Sequence, residues 1–150
     1  MNKNSVLYSD LEYVANHISE SFYGKSIFIT GGTGLIGSLI IKGIIVANEL
    51  KKANIRVVAI VRSITKAKDI FKDFSLENIT LLEGDIINKI SYDENVDYII
   101  HGASPTASKF FVTYPVETIT TAVDGTKNLL NFCWSTPSSP RRSRPKPFLG

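Results

Sequence analysis

The sequence predicts an α/β fold in which a parallel sheet is flanked by helices, and two observations predict it. Short runs rich in β-branched residues alternate with longer helical patterns, and the first run leads directly into a glycine cluster, Thr30-Gly31-Gly32-Thr33-Gly34-Leu35-Ile36-Gly37. Strands that alternate with helices build parallel sheets, with right-handed crossovers between neighbouring strands.

Each element follows from its own pattern. Asp10 to Ser21 reads as a short helix, because Leu11, Val14, Ala15 and Ile18 recur at helical spacing. Gly24 breaks that pattern, and Lys25 to Thr30 is a compact apolar strand. Leu35 to Leu50 is apolar nearly all round, as a helix packed against a sheet should be. Ile55 to Val61 is a second buried strand, with a helical segment around Thr65 to Phe71 after it. Ile79 to Glu83 is the third strand and Val96 to His101 the fourth. A helix from about Pro115 to Trp134 closes the regular structure, with its proline in the first turn, where a missing N–H costs nothing.

The composition changes at Ser135. From there to Gly150 the chain carries four of its six prolines and no apolar pattern, so it cannot bury enough surface to offset the entropy of ordering. We expect a disordered Pro/Arg/Ser tail over 135–150 that is not the native continuation of the fold. Ile, Lys, Asn and Phe, abundant before it, use AT-rich codons and Pro and Arg GC-rich ones, as a shifted reading frame would produce. The expected organisation is an N-terminal helical segment over 1–23, a partial nucleotide-binding domain over 24–134, and this tail.

Composition excludes several classes. Apolar residues make up 43% of the chain and charged residues 21%, as in soluble globular proteins. No charge-free apolar run reaches the roughly 18 residues of a membrane span, and the first residues lack the apolar stretch of a secretory signal. A cytoplasmic protein is the expectation. Cys133 is the only cysteine, which removes an intramolecular disulfide and a Cys-rich metal site, and it reads as a small buried apolar residue. The formal charge is +3, but without Arg141, Arg142, Arg144 and Lys146 the balance is 13 basic to 14 acidic residues. That near-neutral body gives no electrostatic case for nucleic acid.

The glycine cluster carries the chemistry. A diphosphate needs backbone N–H groups at close range, where a Cβ obstructs the approach. Gly31 suits the tight turn leaving the strand, Gly34 the close approach of the main chain, and Gly37 the close packing of helix on strand. The N–H groups of Leu35, Ile36 and Gly37 open a helix whose dipole favours negative charge. No Lys-Ser/Thr pair closes the loop, which argues against a nucleotide triphosphatase P-loop. The strand–loop–helix context points to a Rossmann-like dinucleotide site, so the expected cofactor is NAD or NADP.

The form Thr-Gly-x-x-Gly-x-x-Gly resembles the extended short-chain dehydrogenase/reductase superfamily, in its NAD-dependent epimerase/dehydratase branch. Glu83-Gly84-Asp85-Ile86 resembles the acidic turn that meets the adenine in that family, which would place Asp85 and Ile86 at the cofactor. His101-Gly102-Ala103-Ser104-Pro105 resembles the strand end beside the nicotinamide riboside, which would place Ala103 and Ser104 there, with Ser104 and Thr106 toward the substrate. Pro115-Val116-Glu117-Thr118-Ile119 and Asp124-Gly125-Thr126-Lys127-Asn128-Leu129-Leu130 resemble the following helix of nucleotide-sugar enzymes, those of the UDP-glucuronate decarboxylase and dTDP-glucose 4,6-dehydratase kinds above all. The resemblance implies an enzyme whose cofactor takes a hydride from a nucleoside-diphosphate sugar and usually returns it, by way of a keto-sugar.

Several positions leave two readings open. NAD-specific sites carry an acid at the end of the second strand, where this chain has Val61-Arg62-Ser63. Arg62 suits a 2′-phosphate and favours NADP, whereas the resemblance favours NAD; Arg62 also fits a solvated strand end. Asp85 either meets the adenine or caps its own turn. His101 reads as a structural histidine at the buried end of a strand. Ala122 stands where much of the family has asparagine.

No catalytic residue is assigned. The family's acid/base is a tyrosine with lysine four residues on, and none of Tyr8, Tyr13, Tyr23, Tyr92, Tyr98 and Tyr114 has one. We therefore expect a domain truncated after about four strands, inactive alone and prone to form homo-oligomers through its exposed edge. Two rival readings are a non-catalytic dinucleotide-binding module and an interaction protein whose tail binds RNA or a protein domain.

Overall fold

The structure is a computed structural model that describes residues 5–103 and 112–135. The expected tail beyond 135, together with Ser104 and Thr106, lies outside the described residues.

Helix α1 (Val6–His17) begins where Ser5 Oγ accepts a hydrogen bond from the Tyr8 amide at 3.3 Å. It starts four residues earlier than its apolar spacing predicts, because this serine cap lies in an otherwise uninformative polar stretch. It also stops short of Ser21: Ile18 is extended, and a single 3₁₀ turn (Glu20–Phe22) follows. Tyr8, Leu11 and Ala15 form its buried stripe.

Four parallel strands make one sheet: β1 (Ser26–Thr30), β2 (Arg56–Val61), β3 (Ile79–Glu83) and β4 (Tyr98–His101), in the order β3-β2-β1-β4. All five residues of β1 are buried, and all of β2 except Arg56. Central parallel strands are covered on both faces, which is why they read as continuous apolar runs. Alternate side chains separate into two cores. Ile27, Ile29, Val57, Ala59 and Val61 face α2 (Leu35–Lys51), α1 and α3 (Ile64–Ile70). Phe28, Val58 and Ile60 face Ile86, Ile90 and the helix α4 (Pro115–Ser135) through Leu129 and Phe132. The Phe28 and Phe132 rings sit 4.7 Å apart, centre to centre.

Two polar residues set the turns into strands. Asn48, near the end of α2, bonds both the N–H and the C=O of Ile55 at 2.8 Å, which fixes the return to β2. Asp97 accepts from the Ser26 amide at 2.9 Å and from Lys25 Nζ at 3.4 Å. The β1–β4 pairing therefore begins at Ile27 opposite Tyr98, two residues later than the apolar run from Val96 predicts.

Cys133 departs from expectation, for it is exposed. Phe132 takes the inward position on α4, and the next residue is turned about 100° away from it.

Candidate functional site

In an open parallel sheet the crevice lies at the carboxyl ends of the strands, where the order of connection reverses. Here the reversal falls between β1 and β4. β1 continues through α2 to β2 on one side, while β4 lies on the other. The two loops that leave these strands meet.

Gly31 is the point of contact. Its φ is +73°, in the left-handed region that favours glycine. A Cβ built on it would lie 2.5 Å from the carbonyl carbon and oxygen of Gly102 and 2.7 Å from the Ala103 nitrogen. Any side chain at 31 would push the two loops apart. The turn then closes through a Gly34 amide bond to the Gly31 carbonyl at 2.9 Å. A Cβ on Gly37 would overlap that same carbonyl, so glycine at 37 lets α2 start hard against the turn.

Gly34 is different in kind. Its φ of −76° is open to any residue, and a Cβ there would meet only the Gly31 carbonyl oxygen, at 3.2 Å. Apart from that oxygen nothing lies within 4 Å of such a Cβ, so Gly34 leaves a cradle that a side chain would narrow. Gly34 is also the N-cap of α2, and no side chain caps that end. By helix geometry the first-turn N–H groups of Leu35, Ile36 and Gly37 point out of it. The Leu35 and Ile36 side chains stand 81% and 73% exposed at its rim. This combination of bare donors, a helix dipole and an unobstructed glycine fits a diphosphate.

The neighbouring strand ends supply the remaining candidates. Gly84 donates to the Val61 carbonyl at 2.9 Å, which brings the residues after β2 and β3 side by side. Arg62 is exposed there, next to Ser63, whose hydroxyl caps α3. Asp85 is half-buried, and its Oδ1 accepts from the Ile87 amide at 3.2 Å, so it does hold its own turn and keeps a second oxygen free of that bond. Ile86 is buried. Ala103 is half-buried, beside the glycine loop. The candidates Gly31, Gly34, Leu35, Ile36, Gly37, Arg62, Asp85, Ile86 and Ala103 thus all lie along the carboxyl edge of the sheet.

Three residues of this edge stand in the sequence motifs, but the motifs assign them no role. Thr30, fully buried, accepts from the Ala103 amide at 3.1 Å and bonds His101 Nδ1 at 2.7 Å. Thr126 of α4 lies 3.3 Å from His101 Nε2. Asn128 donates to the carbonyls of Ile86 and Ile87 at 3.1 and 2.6 Å, which ties α4 to the turn after β3. A polar residue ending an apolar strand was the one visible signal, at Thr30. His101 is exposed rather than buried, because it ends an outer strand of the sheet, and both its ring nitrogens face a hydroxyl.

Two groups have displaced pKa values. Burial, then the nearby Glu94, pushes the Tyr92 hydroxyl up, and partial desolvation pushes the Cys133 thiol up although the residue as a whole is exposed. Both stay protonated at neutral pH, so neither is a ready base. Among the described residues no group of three His, Cys, Asp or Glu could hold a metal ion, and no helix is long and apolar enough to cross a membrane.

Residues 27–142 match the model of the NAD dependent epimerase/dehydratase family, a match that runs past the boundary expected at 134. A UDP-glucose 4-epimerase from Rickettsia canadensis is 33% identical over 116 residues, 73% of this chain and 33% of the relative. Among solved structures, Pen from Bacillus thuringiensis is 33% identical with a TM-score of 0.55, covering 73% of this chain and 33% of that one. A dTDP-glucose 4,6-dehydratase from Streptomyces venezuelae, solved with NAD and TYD bound, is 20% identical with a TM-score of 0.53, over 71% of this chain and 34% of that one, a likeness of fold. This chain spans about a third of the length of the curated relatives it matches.

Proposed function

Because this chain belongs to the NAD-dependent epimerase/dehydratase family, we propose that it is the dinucleotide-binding part of an enzyme that modifies the sugar of a nucleoside diphosphate. The observation that carries this reading is the open cradle over Gly34, set between the bare N-terminus of α2 and the apposed Gly31 and Gly102. The amides of Leu35, Ile36 and Gly37 would hold the diphosphate. Asp85 and Ile86 would receive the adenine end, and Ala103 and Ser104 the nicotinamide end. When bound, the cofactor supplies a hydride acceptor; the residues here bind and orient it.

NAD and NADP are both compatible with this edge. Family membership supports NAD, and the exposed guanidinium of Arg62 supports NADP. The similarity to an epimerase and, in fold, to a dehydratase supports the branch, and a decarboxylase-like subgroup remains part of the proposal. Since no tyrosine of the chain has a lysine four residues on, the 150-residue chain should be inactive alone. It should also pair with a second copy.

The test is fluorescence titration of the full chain with NADH and NADPH. The wild-type chain should bind one of them, and Gly34→Val should weaken that binding by about tenfold or more, equivalent to about 1.4 kcal/mol. This φ is open to any residue and a Cβ here meets only the Gly31 oxygen, at 3.2 Å, so the melting temperature, measured alongside, should fall by no more than a few degrees. Equal affinity in Gly34→Val would remove the cradle from the site. If Arg62 reads a 2′-phosphate, Arg62→Ala should lose affinity for NADPH and leave NADH unchanged.

A further inference from the structure

With His101 neutral and the Thr126–Ala122 bond kept, the hydrogen bonds around His101 run in one direction. Thr126 Oγ1 lies 2.7 Å from the Ala122 carbonyl, which can only accept, so the single hydroxyl proton of Thr126 is committed there. Thr126 Oγ1 must therefore accept from His101 Nε2, 3.3 Å away, and Nε2 carries the ring proton. In a neutral imidazole that leaves Nδ1 bare, and it must accept from Thr30 Oγ1 at 2.7 Å. With its own proton spent on Nδ1, Thr30 Oγ1 accepts the Ala103 amide at 3.1 Å. Every donor of the relay is used once.

We propose that Thr126 and His101 are positioning residues that, through Thr30, hold the Gly102–Ala103 peptide against the dinucleotide loop. The relay runs from the middle of α4, over the end of β4, to the last residue of β1. It ends on the amide of Ala103, whose nitrogen lies 2.7 Å from where a Cβ on Gly31 would stand. Removing the Thr126 hydroxyl frees the tautomer of His101; with Nδ1 protonated, Thr30 Oγ1 accepts from both Nδ1–H and the Ala103 amide while its own proton loses Nδ1 as acceptor, which weakens the bond that orders the peptide opposite Gly31. The effect on cofactor affinity rests on the dinucleotide reading above, whereas the effect on the peptide does not.

The chain has two histidines, so the tautomers can be assigned in the ¹⁵N-labelled full chain. His17 Nδ1 lies 2.8 Å from the Tyr13 carbonyl and must donate to it, which makes His17 an internal control of the opposite tautomer. In its neutral form His101 should show protonated Nε2 and bare Nδ1. Thr126→Val, a β-branched replacement of the same shape, should mix the two tautomers. It should also speed exchange of the Ala103 amide and weaken dinucleotide binding, each by about threefold to tenfold, the effect of one lost hydrogen bond. Thr126→Ser should restore all three. A protonated Nδ1 in the wild-type chain overturns the relay, as does a Thr126→Val chain with unchanged Ala103 exchange. Unchanged dinucleotide affinity with altered exchange removes its role in the site. If the wild-type chain binds neither dinucleotide but the tautomer and exchange behave as expected, the relay stands and the cofactor reading fails.

Discussion

Asn48, beside the first core, and Ser26, on the face of β1 that Phe28 shares, are polar residues with opposite consequences. The Asn48 amide satisfies both backbone groups of Ile55, a residue fully out of solvent, at 2.8 Å each. Alanine at 48 would leave a buried N–H and a buried C=O unpaired, at a cost of about 2 kcal/mol or more. We expect Asn48→Ala to lower the melting temperature by roughly 4–8 °C in a thermal scan, with dinucleotide affinity unaltered. A shift below about 2 °C would mean that water replaces the amide. Ser26 is 1% exposed, and its hydroxyl is buried without a hydrogen-bond partner among the described residues. Burying an unpaired hydroxyl costs about 1–3 kcal/mol on mutational scales. Ser26→Ala should therefore leave stability unchanged or raise it by up to about 1 kcal/mol in urea unfolding. A loss of stability would show that the hydroxyl has a partner after all.

At the scale of elements, α4 is the one helix the second core depends on. Leu129 and Phe132 close that core over Phe28, and Gly125 lets the helix approach Ile86, whose Cδ1 would lie 2.6 Å from a Cβ there. Phe132→Ala should cost about 3 kcal/mol, seen as a lower urea midpoint and faster amide exchange in β4 than in β2. Equal destabilisation of the two strands would mean that both cores unfold as one unit. β1, β2 and α2 were legible in the sequence, because elements covered on both faces are apolar without interruption, whatever packs on them. The glycine loop was legible because strand, glycines and helix are contiguous. The start of α1 was missed because a single serine decides it. The late start of β4 was missed because Asp97 bonds Ser26, 71 residues away. The Thr30–His101–Thr126 contacts join three elements distant in sequence, and no local pattern announces them.

For the whole molecule, the decisive feature is that α4 is apolar on two opposite faces. The face bearing Leu129 and Phe132 is buried, while Val116, Ile119, Val123, Leu130 and Trp134 are 52–70% exposed on the other. At 100° per residue these five fall within one stripe, about 27 Å long at 1.5 Å per residue. A helix that is apolar all round is normally buried all round. The sheet also ends on β4, whose outer edge is unpaired among the described residues. We expect a second copy to cover this face. Antiparallel pairing about the middle of α4 would lay stripe on stripe and set Asp124 of one copy near Lys127 of the other. Sedimentation velocity at about 50 μM, a concentration at which a micromolar dimer is mostly associated, should show a dimer of the wild-type chain. Val123→Glu and Leu130→Glu each place a carboxylate in the seam and should give monomers that remain folded, since neither residue touches the core. A wild-type monomer, or a dimer indifferent to both substitutions, would mean that this stripe is not where two copies meet.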